Sequence, residues 1–316
     1  MNTQPKAIEI LNNMKKVIIG KDDVLEKVLV CFFARGHLLI EDVPGVGKTT
    51  LVKALAKSVD LSHSRIQFTP DLMPADITGL TIYNRLENTF EFKEGPLFNQ
   101  IILADEINRT SPKTQSSLLQ AMEERQVSVD HHTYDLEPPF MVLATQNPLD
   151  YQGTYPLPEA QLDRFIMKLS LGYPGLEFEK QIVENYKLSK SLDHINAVAS
   201  QADILAIQDE VDAITLHEEI LHYIVSISAS TRTHPSIHLG ASPRVSIDLF
   251  RSTKAYAYLK GRSYVIPDDV KAIAPDILKH RLMLSAKARI DGETIDHIIK
   301  DILGSIHIPV VHVNEE

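Results

Sequence analysis

Val43-Pro44-Gly45-Val46-Gly47-Lys48-Thr49-Thr50 follows the apolar stretch Leu38-Leu39-Ile40 and opens a segment of helical character. This arrangement is typical of a phosphate-binding loop between a strand and a helix. Gly45 and Gly47 let the backbone turn tightly, so that its N–H groups can face a triphosphate. The expected nucleotide-binding residues are Pro44, Gly45, Val46, Gly47, Lys48, Thr49 and Thr50. Of these, Lys48 can reach the β- and γ-phosphates and Thr49 can bind Mg²⁺.

One position of the loop departs from the general pattern. A glycine is expected at position 42, where this chain has Asp42. A carboxylate facing the phosphates would weaken their binding through charge repulsion. We therefore expect the Asp42 side chain to point away from them, with the rest of the loop intact.

A second signal follows downstream, in the segment from Gln100 to Glu106. It reads as a buried parallel strand that ends in two carboxylates, Asp105 and Glu106. Ligands of open α/β sheets bind at the carboxyl ends of the strands. We expect Asp105 to hold Mg²⁺ through water and Glu106 to act as the general base toward an attacking water. Either feature alone could be incidental; together they predict binding and hydrolysis of a nucleoside triphosphate.

Composition limits the remaining possibilities. The chain has 316 residues, 44% of them hydrophobic, which suggests two domains with sizeable cores. The net charge is −10, which disfavours nucleic acid and anionic membrane as partners. Cys31, the single cysteine, lies in an apolar run and fits a reducing compartment. No apolar run approaches the ~18 residues of a membrane helix, so we expect a soluble, cytoplasmic protein with no membrane insertion.

The pattern along the chain predicts an α/β fold with a five-stranded parallel sheet and crossover helices. The predicted strands are 37–43, 65–69, 100–106, 140–147 and 165–171. Two further segments, 81–92 and 126–136, read as β-hairpin inserts. After Gly175 the pattern becomes helical, with a long periodic stretch from 203 to 225 and helix starts at Pro243 and Pro267. We therefore predict a nucleotide-binding core over 1–175 and an all-α lid over 176–316.

Four segments resemble the MoxR family of AAA+ ATPases, and the resemblance runs from about Val17 to Pro309. They are Ala104-Asp105-Glu106-Ile107-Asn108-Arg109-Thr110-Ser111-Pro112-Lys113-Thr114-Gln115, Ala144-Thr145-Gln146-Asn147-Pro148, Leu157-Pro158-Glu159-Ala160-Gln161-Leu162-Asp163-Arg164-Phe165, and Gly240-Ala241-Ser242-Pro243-Arg244. The resemblance implies a P-loop core of the AAA+ type, with ATP and Mg²⁺ as cofactors.

The same resemblance implies further site residues. Asn147 is similar to the amide that senses the γ-phosphate, and Arg164 to an arginine finger that reaches a neighbouring subunit. Arg244 is similar to the lid arginine that contacts phosphate. Ile18, Ile19 and Gly20 resemble the segment whose backbone brackets adenine. The two hairpins are similar to inserts that line or crown a ring pore.

Three functions remain open. The resemblance favours a homo-oligomeric ring, a hexamer, that remodels a protein client for assembly, maturation or metal-cofactor loading. It also implies a partner that carries a von Willebrand factor A domain. A nucleic-acid translocase is the first alternative, which the acidic hairpins disfavour, since tracking along DNA needs a positive channel. The second alternative is a slowly hydrolysing, nucleotide-gated scaffold.

Overall fold

The computed structural model describes residues 3–148, 153–187 and 195–309. Parts of both predicted domains, at 1–2, 149–152, 188–194 and 310–316, therefore lie outside the described residues. In chain order the strands are β1 (Leu38–Glu41), β2 (His63–Gln67), β3 (Gly79–Asn84), β4 (Thr89–Glu94), β5 (Ile101–Asp105), β6 (Gln126–Val129), β7 (His132–Asp135), β8 (Met141–Gln146), β9 (Met167–Leu169), β10 (Ile237–Leu239) and β11 (Met283–Leu284).

Thirteen helices occur within the described ranges. They are α1 (Gln4–Lys15), α2 (Asp22–Phe33), α3 (Lys48–Ser58), α4 (Pro74–Thr78), α5 (Pro112–Glu124), α6 (Glu159–Leu162), α7 (Leu176–Lys187), α8 (Gln201–Asp212), α9 (Glu218–Thr233), α10 (Pro243–Leu259), α11 (Pro267–Leu278), α12 (Ala286–Ile290) and α13 (Ile295–Ser305). None of these is both long enough and apolar enough to cross a membrane.

The central sheet has five strands in the order β2-β5-β8-β1-β9, all of them parallel to their neighbours. All five predicted strands are therefore confirmed. The inner strands β5 and β8 are apolar and buried because helices cover both faces of the sheet. The register pairs Leu38 with Leu143, and Leu103 with Leu143 on the other side of β8. The carboxyl ends of β1, β8 and β5 thus meet at one edge.

The two predicted hairpins are also confirmed, as β3–β4 and β6–β7. They contact each other: the rings of Phe92 and Tyr134 stack with centroids 4.3 Å apart, and the Thr81 hydroxyl donates to Asp130 at 2.8 Å. The inserts therefore form one unit at the surface, although residues 95–125 separate β4 from β6 in the sequence.

The helical region after β9 follows the prediction with two differences. The stretch 203–225 was expected to be one helix, but it is divided between α8 and α9. Thr215 breaks it by pairing with the backbone of Ser263 and Val265. The pair Ser242-Pro243 predicts a capping serine followed by the first helical residue. Helix α10 does begin at Pro243, but the Ser242 hydroxyl donates to Asp163 at 3.0 Å and does not cap the helix.

Apolar packing continues from the sheet into the later helices. Side chains of α2 such as Leu25 and Val28 belong to the same buried cluster as Val245 and Leu249 of α10. A second cluster on the opposite face of the sheet includes Leu39 and Leu118. Both predicted domains therefore contribute to one core on this face of the sheet. The boundary between them near residue 175 remains a prediction.

His37 immediately precedes β1 and connects three other segments. The N–H of Val142 donates to its Nδ1 at 3.0 Å, so Nε2 carries the proton and donates to the Met122 carbonyl at 3.0 Å. Its own carbonyl accepts from Ile166 N–H at 2.9 Å. Burial lowers the pKa of His37 to about 4. A proton on Nδ1 would remove the acceptor of Val142.

This contact predicts a loss of stability in acid. The unfolded chain binds a proton at His37 near pH 6.5, whereas the folded chain does so only near pH 4. The stabilisation is complete above pH 6.5 and is lost as the pH falls toward 4. We expect His37 to lower the free energy of unfolding by about 2 kcal/mol between pH 7 and pH 5. His37→Gln keeps a donor and an acceptor but does not titrate, so its denaturant midpoint should vary less with pH. An equal pH dependence in the two proteins would contradict this assignment.

Candidate functional site

The loop after β1 is an open cradle of backbone amides. Gly45 and Gly47 have φ of +88° and +95°, in the left-handed region that favours glycine. Helix α3 begins at Lys48, and within the described chain the N–H groups of Lys48, Thr49 and Thr50 make no hydrogen bond. Unpaired amides at a helix N-terminus favour a phosphate. The loop geometry therefore fits the predicted triphosphate.

Asp42 is buried and faces away from the cradle, as predicted. Its carboxylate accepts from the Ser170 hydroxyl at 3.1 Å and from the amides of Leu171 and Gly172. Its carbonyl accepts from Lys48 Nζ at 3.1 Å. The carboxylate thus joins the start of the loop to the segment that follows β9.

Asp105 ends β5 with both of its oxygens occupied. The Thr145 hydroxyl donates to Oδ1 at 2.6 Å, and Arg65 Nη2 donates to Oδ2 at 2.7 Å. Arg65 belongs to the edge strand β2 and is half exposed. A cation therefore already neutralises the carboxylate that we expect to bind Mg²⁺ through water, and Mg²⁺ would compete with it. Thr49 follows β1 across the same sheet edge, so hydroxyl and carboxylate oxygens suited to Mg²⁺ are present.

Glu106 has an unusual backbone conformation and two side-chain partners. Its φ of +60° is rare for a residue other than glycine, asparagine or aspartate. The Gln67 amide donates to Glu106 Oε2 at 2.8 Å, and Arg109 Nε lies 3.4 Å from the same oxygen. The predicted general base is therefore held by neighbouring side chains in this structure.

Asn147 directly follows β8, the strand between β1 and β5. It is buried, at the same sheet edge as the loop and the two carboxylates. This edge therefore brings together Lys48, Thr49, Asp105, Glu106 and Asn147.

Arg164 and Arg244 lie together, but apart from that group. Arg244 Nη2 is 2.8 Å from Glu123 Oε2, and Arg164 Nε is 3.9 Å from the same oxygen. Both arginines line a cavity of about 450 Å³ with His37, which stands at the amino end of β1. No phosphate-loop residue is among the described residues that line it.

Three more arginines line this cavity, namely Arg35, Arg125 and Arg251, against the carboxylates of Glu123, Asp212 and Asp248. Burial lowers the pKa of Arg125, and the charges of Arg35 and Arg251 lower it further. The cavity has an excess of positive charge and is suited to an anion.

Ile18, Ile19 and Gly20 connect α1 to α2. Ile18 is buried, and Gly20 has φ of +72°. Within the described chain, the N–H and C=O groups of Ile19 and Gly20 make no hydrogen bond. Their backbone is therefore available to a ligand.

Sequence reasoning did not identify Gln67, Arg65, Arg109 or Glu123 as site residues. Each of the four contacts a predicted site residue. Arg65, Gln67 and Glu123 do so from positions distant in the sequence, and Arg109 does so from the turn that follows Glu106. One signal in the sequence could have identified Arg65 and Gln67. They belong to β2, the predicted strand before the acidic strand β5, and a neighbouring strand can direct its polar side chains toward the carboxyl end of β5.

Two family models and several known proteins match this chain. An ATPase family associated with various cellular activities (AAA) matches residues 37–167, and an AAA lid domain matches residues 229–302. The uncharacterised protein YeaC of Bacillus subtilis is 49% identical over 305 residues, covering 96% of this chain and 94% of YeaC. The chaperone MoxR1 of Mycobacterium tuberculosis is 39% identical over 308 residues, covering 95% and 81%.

A solved structure is similar over nearly the whole chain. It is a crystal structure at 2.00 Å of a Cytophaga hutchinsonii protein named for an inferred ATPase activity. The two chains are 40% identical, with a TM-score of 0.91, and the match covers 98% of this chain and 96% of that one.

The contact between Gln67 and Glu106 predicts that the glutamine restrains the base. Gln67→Met keeps the length of the side chain but removes the amide, so only Arg109 would still hold Glu106, which should turn more readily toward a water. A hydrogen bond to a charged group contributes about 1.5 kcal/mol or more, so turnover of ATP should rise by up to about tenfold. Gln67→Asn, which keeps an amide, is the control. Steady-state phosphate release measures the effect. A fall in rate for Gln67→Met would instead make Gln67 a residue that turnover requires.

Proposed function

The chain belongs to the MoxR family of AAA+ ATPases, and we propose that it hydrolyses ATP in a homo-oligomeric ring, a hexamer, to remodel or assemble a protein client. In this proposal Pro44 to Thr50 bind the triphosphate, Lys48 contacts its terminal phosphates, and Thr49 and Asp105 hold Mg²⁺. Bound Mg²⁺ supplies positive charge that offsets the charge of the phosphates. Glu106 removes a proton from the attacking water, and Asn147 orients that water through its neutral amide.

The position of the arginine cavity is the observation that supports a ring. His37 lines this cavity at the amino end of β1, whereas the phosphate loop leaves the carboxyl end. Five residues of extended chain span about 16 Å. An arginine side chain does not bridge that distance, so Arg164 and Arg244 have no access to the nucleotide of their own subunit. We infer that both arginines meet the phosphates bound by a neighbouring subunit.

Glu123 occupies the place that the neighbour's phosphates would take. It is a counter-ion for two arginines that would otherwise repel each other. A triphosphate carries more charge than one carboxylate and accepts more hydrogen bonds, so it displaces Glu123 as a partner. Stabilisation of transition-state charge by such an arginine contributes on the order of 10³-fold in rate.

The joined hairpins provide a surface for the client. Leu86, at the tip of the first hairpin, is 97% exposed, and Phe90 is 76% exposed with its ring 5.2 Å from that of Tyr83. Apolar side chains with this exposure suit an unfolded protein segment. The hairpins also carry Glu87, Glu91 and Asp130, which disfavours nucleic acid as the client.

A partner with a von Willebrand factor A domain is part of the same proposal, carried over from the family resemblance. The slowly hydrolysing scaffold differs from a motor only in rate. A measured turnover number well below one per minute at saturating ATP, with and without client, would favour the scaffold.

The ring proposal predicts that two inactive variants restore each other. Arg164→Ala retains its own phosphate loop but lacks the finger, and Lys48→Ala has the opposite defect. Each alone should lose ATPase activity by on the order of 10³-fold. Mixed rings should regain activity at about a quarter of their interfaces, where a Lys48→Ala subunit supplies Arg164.

The measurement is ATPase rate against mixing ratio, with Arg289→Ala, on the surface helix α12, as the matched control. Specific activity of the wild type should also rise with protein concentration. Absence of complementation, together with an unaffected Arg164→Ala, would place the finger elsewhere.

The hairpin surface yields a separate prediction. Leu86→Ser should reduce the stimulation of ATPase by an unfolded model protein at least about threefold, with basal activity unchanged, because an apolar anchor contributes about 1 kcal/mol or more. Ile290→Ser is the control, since Ile290 is 86% exposed but lies on α12. Equal loss in both variants would show a general surface effect, and no loss in Leu86→Ser would remove the tip from client binding.

A further inference from the structure

The connection between β9 and α7 is attached at both ends of the expected nucleotide site. At one end, Asp42 binds Ser170, Leu171 and Gly172, next to the phosphate loop. At the other end, Lys21 Nζ donates to the Tyr173 carbonyl at 2.9 Å, next to Gly20. Residues 170–178 therefore run from the start of the phosphate loop to the segment of Ile19 and Gly20.

The ring of Phe178 rests directly on the backbone of Gly20. A Cβ at Gly20 would lie 2.4 Å from two ring carbons of Phe178, closer than real side chains approach. Gly20 also has φ of +72°. Glycine is thus needed here for two reasons, its conformation and the close approach of this ring.

Phe178 does not serve the protein core. It is 42% exposed, and every described side chain of α7 from 176 to 184 is exposed. A large aromatic side chain left half open to solvent, on a helix whose side chains from 176 to 184 are exposed, is available to an apolar ligand surface.

The groups around the ring match a purine base. Ile19 and Gly20 offer N–H donors and C=O acceptors without partners in the described chain, and an adenine edge carries one donor and one acceptor side by side. An aromatic face beside such groups can stack on the base. Phosphate-binding amides lie at the other end of the same connection.

We propose that Phe178 forms one wall of the base site and stacks on the adenine of bound ATP, and that Asp42 is the positioning residue that holds the connection in place. This inference rests on the proposed binding of ATP at the phosphate loop, and it assigns the base end of that site. It also explains the departure at position 42, because a glycine there could not hold the amides of Leu171 and Gly172.

The test compares a ligand with a base and one without. Affinities for Mg²⁺–ATP and for Mg²⁺–tripolyphosphate are measured by calorimetry on the full-length chain. Phe178→Ala should weaken ATP binding roughly 5- to 100-fold and leave tripolyphosphate binding unchanged. Leu176→Ala is the matched control, since Leu176 is 86% exposed on the same helix turn. Phe178→Tyr should retain the affinity for ATP.

A spectroscopic readout is available because the chain contains no tryptophan. The single indole introduced by Phe178→Trp should be quenched by ATP and not by tripolyphosphate. Asp42→Asn should weaken ATP binding through the same contact. The double variant Asp42→Asn, Phe178→Ala should therefore lose less affinity for ATP than the sum of the two single losses.

The outcomes separate this inference from the proposed function. Binding of both ligands by the wild type, with Phe178→Ala unaltered for each, would overturn the role of Phe178 and leave the phosphate loop in place. Equal weakening of both ligands would make Phe178 a structural support of the loop and would also overturn the inference. Failure of the wild type to bind either ligand would overturn both proposals together.

Discussion

Backbone hydrogen bonds between β5, β8 and β1 set the position of the groups that we assign to the phosphates, the metal ion and the attacking water. Because the strands are parallel, with Ala104 opposite Ala144 and Glu41 opposite Gln146, β5, β8 and β1 end within one residue of the same level. The Gln146 side chain donates to Glu41 at 2.6 Å and reinforces that level. The residues that follow the strands then face a common space. Antiparallel pairing of any one strand would send its functional residue to the opposite edge of the sheet.

The sequence predicted those parts of the molecule that local signals determine. Apolar runs, glycine spacing and helix starts identified all five sheet strands and both hairpins, because each depends on residues within one element. The contact of Gln67 with Glu106 spans 39 residues, and the pairing of Arg244 with Glu123 spans 121. No local pattern encodes such contacts. The stretch 203–225 has a helical period throughout, yet Thr215 pairs with a segment almost fifty residues later, and that tertiary contact overrides the period.

One cavity of the protein is positively charged although the chain as a whole is negatively charged. The protein has a net charge of −10, yet five of its twelve arginines line one cavity that has three carboxylates in its lining. Placing cations together in a partly buried space is unfavourable unless an anion compensates them. Glu123 provides part of that compensation within the subunit. In the proposed ring, the phosphates bound by a neighbouring subunit would provide the rest.

The edge strand β9 connects the two sites within a subunit. It has three residues and pairs only with β1. Arg164 stands just before it, at the cavity, and the groups that bind Asp42 stand just after it, beside the phosphate loop. In the proposed ring, a displacement of Arg164 by a neighbour's phosphate would act on a short strand whose other end is attached through Asp42 to the phosphate loop of its own subunit. We therefore infer that β9 couples the two proposed nucleotide sites of one subunit, since only residues 165–169 separate Arg164 from Ser170, the first residue that binds Asp42.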